Sequence, residues 1–291
     1  MNLTETSDQD TAARAAEPAV SGPLPGPTAG ARLLRLATSR LLGIVLVVLA
    51  VLWWQVAVSR GWIDSPIVPS PADVLDKGVG SLEDGTLLPA LGATLANVGI
   101  GYGIAVVLGV LIGALMALIR PVHSALEPIV ELVRPVPVLA YVPLLILSLG
   151  IGTEMKATGI LLSAFFPILI STVNGVQGVP ATMRQTGETF GLNRWRQTVE
   201  IILPCAAPVI FVGLRTSLAL AISVATAVDM ITGNSGIGYY IVNTQQNLQI
   251  AQMYAGIVAL AVVGYLINAL SVAVERYLLR WHFRGMGGSH G

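Results

Sequence analysis

The chain has 291 residues, 54% of them hydrophobic and only 11% charged, against about 25% charged in an average soluble domain, so lipid is the solvent this composition suits. Sixteen basic and sixteen acidic residues cancel to no net charge, which gives no basis for nucleic-acid binding. One cysteine, Cys205, excludes an internal disulfide framework, and the scattered His123, His282 and His290 make no metal-ligand spacing.

Residues 1–40 begin with an Ala-, Pro-, Gly- and Thr-rich stretch lacking any apolar run that would offset the entropy of ordering, and are expected as a disordered cytoplasmic tail. Arg32, Arg35 and Arg40 ahead of an apolar run imitate a signal peptide. The late position and the missing small-residue cleavage site favour an uncleaved first span.

A bilayer core needs about 20 apolar residues as helix, because lipid offers no partner to a bare backbone amide. Segments 41–58, 95–119, 136–150, 157–176, 208–231 and 255–274 approach that length, giving an all-α membrane domain of about six spans over 41–284, with a flexible tail at 285–291. The third segment is short and holds Pro137 and Pro143, so it is expected to be kinked or broken and to face the bundle interior.

Cytoplasmic loops carry the excess of Lys and Arg. With the N-terminus inside, that side holds Arg14, Arg32, Arg35, Arg40, Arg120, Arg134, Arg184, Arg194, Arg196, Arg276, Arg280 and Arg284, against Arg60, Lys77 and Lys156 outside. Both termini are therefore expected in the cytoplasm. Trp53, Trp54 and Trp62 then mark the outer interface and Trp281 the inner one. The outer loop after the first span carries Asp64, Asp73, Asp76, Glu83 and Asp84, and its Ser-Pro turns point to a short ordered excursion, either a docking element or an ordinary solvated loop.

No Gly-x-x-x-x-Gly-Lys-Ser/Thr phosphate loop exists; Lys77 and Lys156 are the only lysines and neither follows such a run, so the chain hydrolyses no ATP itself. Gly99, Gly101 and Gly103 imitate a nucleotide-binding run, yet they lie inside an apolar span and, with Gly109 and Gly113, read better as small faces for close helix packing. Asn97 and Tyr102 on that span either line a path or bond between helices.

The loop 177–207 is too polar to cross lipid and too long for a turn. Its segment from Met183 to Leu203 mixes polar and apolar residues at helical spacing, with Gly191 as a break and Pro204 as a stop, which predicts two short helices. Arg184, Arg194 and Arg196 make a basic face suited to anionic lipid or to a protein groove.

Gly191 followed by Ile201, Leu203 and Pro204 resembles the second half of the cytoplasmic loop signature of bacterial ABC importer permeases. In that family the loop forms a coupling helix seated in a cleft of the ATPase subunit. The first half, usually Glu-Ala-Ala, is Gln185-Thr186-Gly187 here, leaving Glu188 as the nearby acid. The run Arg134-Pro-Val-Pro-Val-Leu-Ala-Tyr-Val-Pro143, Gly150-Ile-Gly152, Asp229-Met-Ile-Thr-Gly233 and Ser235-Gly-Ile-Gly238 are similar to patterns of the nitrate, sulfonate and taurine branch, with Asp229 where glutamate is usual.

The resemblance implies a type I ABC importer permease fold in the bacterial inner membrane. It also implies a homodimer, two ATPase subunits that bind the ATP and magnesium, and an extracytoplasmic solute-binding protein. No cofactor, catalytic residue or metal is expected on this chain. Glu188, Gly191, Asn193, Arg194 and Arg196 are the expected ATPase contacts, with Pro204 redirecting the chain into the fifth span. Asp229, Asn97, Tyr102, Pro137 and Tyr141 are the candidates for the path or its gate. An ionisable group in a span is costly, so Asp229 either caps or pairs structurally, or meets solute or proton. Arg215, placed near the inner end of its span, is expected to snorkel or pair. The branch leans towards a sulfonate or nitrate as cargo, although members also carry pyrimidine-like or aromatic compounds.

Two other classes remain at this point. An ion-driven secondary transporter would show several buried ionisable residues and often an internal repeat; a membrane enzyme would show clustered carboxylates, a nucleophile with histidine, or metal ligands. The sequence offers the first only Asp229 and the second nothing.

Overall fold

The computed structural model describes residues 29–63 and 67–280. Asp64, Trp281, Arg284 and most of the expected tails lie outside them. The chain divides into two compact units at Val56. The first holds most of helix α1 (Ala29–Ser59), which begins inside the segment expected as tail and has its apolar part at Val45–Ser59.

In the second unit the excursion after the first span is helix α2 (Pro71–Glu83). Ser70 and Asp73 start it with reciprocal bonds: Ser70 Oγ accepts from Asp73 N–H at 3.1 Å, and Asp73 Oδ2 accepts from Ser70 N–H at 3.3 Å. These satisfy amides that the first helical turn leaves unpaired.

Helices α3 (Leu87–Leu118), α6 (Thr153–Gln177), α8 (Arg194–Thr232) and α10 (Ile250–Leu278) are each long and apolar enough to cross a membrane. Between α3 and α6 run α4 (Arg120–Val133), a one-turn 3-10 helix (Val138–Tyr141) and α5 (Val142–Leu149). The chain bends there by 85°. The third expected span is therefore a broken one. Eight residues of α5 rise about 12 Å, too little to span alone. Pro135, Pro137 and Pro143 supply no amide to carry a helix through the bend, and Gly150 ends α5 with φ +73°.

Van der Waals packing and interhelical bonds hold membrane helices together, since lipid tails are as apolar as leucine. The seam between α3 and α6 follows that rule. A Cβ on Gly101 would meet the Ala157 carbonyl, on Gly109 it would lie 2.8 Å from Ile168 Cγ2, and on Gly113 2.8 Å from the Leu169 carbonyl. Ala105, fully buried, completes the stripe at four-residue spacing. Gly99 and Gly103 have open space around them and take no part. On the other side of α6, Gly213 of α8 backs onto Ser171. Val98, Ala105, Ile160, Ala164, Ile168, Ala221 and Ala225 form the central core where the three helices meet.

The loop after α6 forms two short helical segments around Gly191, as expected, α7 (Ala181–Thr189) and Arg194–Gln197, but the second continues into the following span. Gly191, at φ +70°, turns the corner, Asn193 caps the next helix by accepting the Arg196 N–H at 2.8 Å, and α8 then runs unbroken to Thr232. Pro204 neither stops nor redirects it. A π-helical turn at Thr198–Ile202 precedes the proline, and Leu203 N–H reaches back to the Thr198 carbonyl. The widened turn accommodates a ring that would clash in a regular helix. Helix α9 (Ile237–Gln246) then packs Ile237, Tyr240 and Ile241 against Leu87 and Leu91 of α3.

Candidate functional site

Three regions of this bundle hold the chemistry. The first is a buried polar node at the end remote from the 177–207 loop. Lys156 Nζ lies 2.8 Å from Asp229 Oδ1, with both side chains 2% exposed. Thr94 Oγ1 donates to Asp229 Oδ2 at 2.5 Å and accepts the Ile237 N–H at 2.8 Å. Lys156 Nζ also donates to the Ser235 carbonyl at 2.8 Å and to its hydroxyl at 3.0 Å. Four segments, from α3, α6, α8 and the turn before α9, thus share one charge-neutral network in which each charge is paired and hydrogen-bonded, as burial requires. Gly236, at φ +100°, presses its backbone against the Asp229 carboxylate, where no Cβ fits.

Asp229 is therefore a pairing residue of the fold, enclosed and neutralised. Lys156, placed in an outer loop by the charge tally, is instead inside the bundle, and the outer set shrinks to Arg60 and Lys77. The signal available was the chain's only lysine beside an apolar span facing a lone intramembrane acid.

The second region is a cleft of ≈ 680 Å³ between the broken segment, α6 and α8, lined by Arg134, Tyr141, Ser163, Phe166, Ser171 and Thr216 among others. Tyr141, one of the expected path candidates, is part of that lining. Pro137 instead caps the 3-10 turn beside it. Asn97 is buried in the bundle, and the Tyr102 hydroxyl donates to the Leu214 carbonyl at 2.7 Å, which ties α3 to α8. Arg215, expected to snorkel or pair, pairs: it sits midway along the apolar run of α8, and its Nε donates to Asn268 Oδ1 on α10 at 3.0 Å. A further cleft of ≈ 670 Å³ at the node end is lined by polar groups including Ser81, Asn234, Tyr239, Asn243 and Gln252.

The third region is the corner between α7 and α8. Glu188, Gly191, Asn193, Arg194 and Arg196 are all exposed there. Pro204 is half-buried and set back along α8. Arg184 leaves the proposed basic face: its Nη2 donates to the Val176 carbonyl at 2.8 Å and closes the end of α6. Phe190 and Trp195, 78% and 76% exposed, lie on either side of Gly191 and add apolar surface to the charges there. Gly187, in the altered triplet, lets α7 approach α8 closely, since a Cβ would lie 2.8 Å from Ile201 Cδ1.

Residues 105–282 match the family described as binding-protein-dependent transport system inner membrane component. The chain is 34% identical to the taurine transport system permease protein TauC of Escherichia coli over 81% of its own length and 88% of that protein's. It is 31% identical to the putative aliphatic sulfonates transport permease protein SsuC of Bacillus subtilis over 82% and 87% of the two chains. Among solved structures, an inward-facing conformation of the MetNI methionine ABC transporter superposes with a TM-score of 0.58 at 19% identity, covering 66% of this chain and 95% of that one, a likeness of fold.

Proposed function

From the premise that this chain belongs to the family of binding-protein-dependent transport system inner membrane components, we propose that it dimerises with a second copy, and that two ATPase subunits drive it through the α7–α8 corner. Membership makes it the multi-pass permease subunit of an ABC importer, with ATP hydrolysis on a separate subunit. The observation that carries the coupling reading is the exposed corner itself: Gly191 holds a left-handed conformation, and Phe190, Arg194, Trp195 and Arg196 project around it. Because α8 continues from that corner, through its π turn, to the Lys156–Asp229 node, a push at one end is passed along a single helix.

ATP and magnesium are bound by the partner subunits in this reading, and an extracytoplasmic solute-binding protein delivers the cargo. The cargo is a small sulfonate-like anion, the class named for the two relatives. Lipid surrounds the apolar outer faces. Both termini lie in the cytoplasm of a bacterial inner membrane, a placement supported by the surplus of arginine at the α7–α8 end. Ion-gradient drive finds no free acid in Asp229, which is already paired.

The test is ATPase activity of the assembled complex, stimulated by loaded binding protein, after Gly191→Trp or Arg194→Glu. Loss of stimulation with assembly retained is expected. Wild-type stimulation in both variants would remove the corner from the coupling route.

A further inference from the structure

The apolar run of α8 from Leu203 to Val228 contains one charge, and that charge lies at its middle. Arg215 stands about 18 Å along the helix from Leu203 and about 20 Å from Val228. An arginine at such depth is costly against lipid and marks a cavity, a partner or a substrate path.

Among the described residues no acid neutralises it. Arg215 is exposed, and among the described residues the ion pairs join Lys77 to Asp76, His123 to Glu127 and Lys156 to Asp229, none of them to Arg215. Its one recorded partner is the neutral Asn268, which holds Nε at 3.0 Å. That bond orients the guanidinium without cancelling its charge. Beside it, Thr216, Ala219 and Ser223 are exposed small or polar residues at helical spacing, on a helix that also exposes Val212 and Leu220. A cleft of ≈ 220 Å³ is lined by Arg215 and Asn268 at its polar side and by Leu218, Ile222 and Ile267 at its apolar one. It is about seven waters' worth of space.

Resting on the reading of this chain as an anion importer, we propose that Arg215 is the point in the membrane interior at which the cargo anion is bound during passage, with Asn268 as its positioning residue. A guanidinium fork suits the oxygen pairs of a sulfonate or nitrate. The site replaces part of the anion's lost hydration at the depth where lipid would charge most for it. A single cation balanced only by a neutral amide holds an anion weakly enough to release it, as a transport site requires.

The experiment uses the complete complex, permease with ATPase and binding protein, in proteoliposomes, with labelled taurine, ethanesulfonate and nitrate as probes. Arg215→Gln is expected to cut anion uptake ten-fold or more, chiefly through a raised KM. Arg215→Lys, which keeps charge but not the fork, should fall between, and Asn268→Ala should raise KM less than Arg215→Gln does. Uptake by Arg215→Gln at the wild-type KM overturns the proposal alone. Equal loss of dimer, measured by cross-linking, in the Gln and Lys variants also overturns it and makes Arg215 an interface residue. A wild-type complex that carries none of the three anions overturns the anion reading and this site with it.

Discussion

Lys156 and Asp229, from opposite ends of two different helices, meet at 2.8 Å with each side chain 2% exposed. Removing one member leaves the other buried and uncompensated, which costs about 3–5 kcal/mol. Asp229→Ala and Lys156→Met should each lower the thermal midpoint of the solubilised protein strongly. The double variant Lys156→Met with Asp229→Leu should recover much of the loss, because a well-packed apolar pair replaces a buried ion pair at little net expense. A double variant no better than the singles would show that Thr94 and Ser235 depend on the charges as much as these do on each other.

Gly236 offers a second route to the same node. Its φ of +100° and its contact with the Asp229 carboxylate leave no room for a side chain. Gly236→Ala is expected to destabilise the protein by more than about 1 kcal/mol, read as a lower unfolding midpoint. Gly80→Ala, where a Cβ meets nothing within 4 Å, serves as the comparison and should be near neutral or slightly stabilising.

The α3–α6 seam separates two kinds of glycine on one helix. Gly109→Val should disrupt packing against Ile168, with overpacking losses of about 1–3 kcal/mol, whereas Gly103→Val meets open space. The measurement is the yield and thermal midpoint of the monodisperse protein for each. Equal tolerance at both positions would contradict the close approach of α3 and α6.

Tyr240 fastens α9 to α2 through a buried hydroxyl pair, its OH lying 2.9 Å from Ser81 Oγ. Tyr240→Phe removes a donor and leaves the ring packed, so a loss of about 1 kcal/mol is expected. In Ser81→Ala the loss should be similar, and the double variant should cost less than the sum of the two, since they share one interaction.

At the α7–α8 corner, Trp195 is 76% exposed and adds a large apolar surface to the arginines beside it. Trp195→Ala should leave folding within about 0.5 kcal/mol while weakening the interface with the ATPase subunit, where aromatic anchors carry much of the binding energy. Co-purification of the two subunits, with the thermal midpoint of the permease as control, distinguishes these effects.

What the sequence by itself determined lies along the chain. Apolar length located the four full spans, paired prolines marked the third as broken, and Gly191 marked the turn between two helical segments of the loop after α6. These are properties of neighbours in sequence, governed by helical rise, backbone hydrogen bonding and the left-handed freedom of glycine. What only the tertiary structure decided depends on partners far apart in the chain. Nothing local tells Gly109, which touches Ile168, from Gly103, which touches nothing. Nothing local pairs Lys156 with Asp229, or gives Arg215 to Asn268 while closing the end of α6 with Arg184. Even Pro204, read locally as a stop, sits within a continuous helix because the π turn ahead of it makes room. Local rules set where helices form and end; which face each one turns to its neighbours follows from packing three of them around one core, where small residues allow close approach and every buried charge must find its opposite.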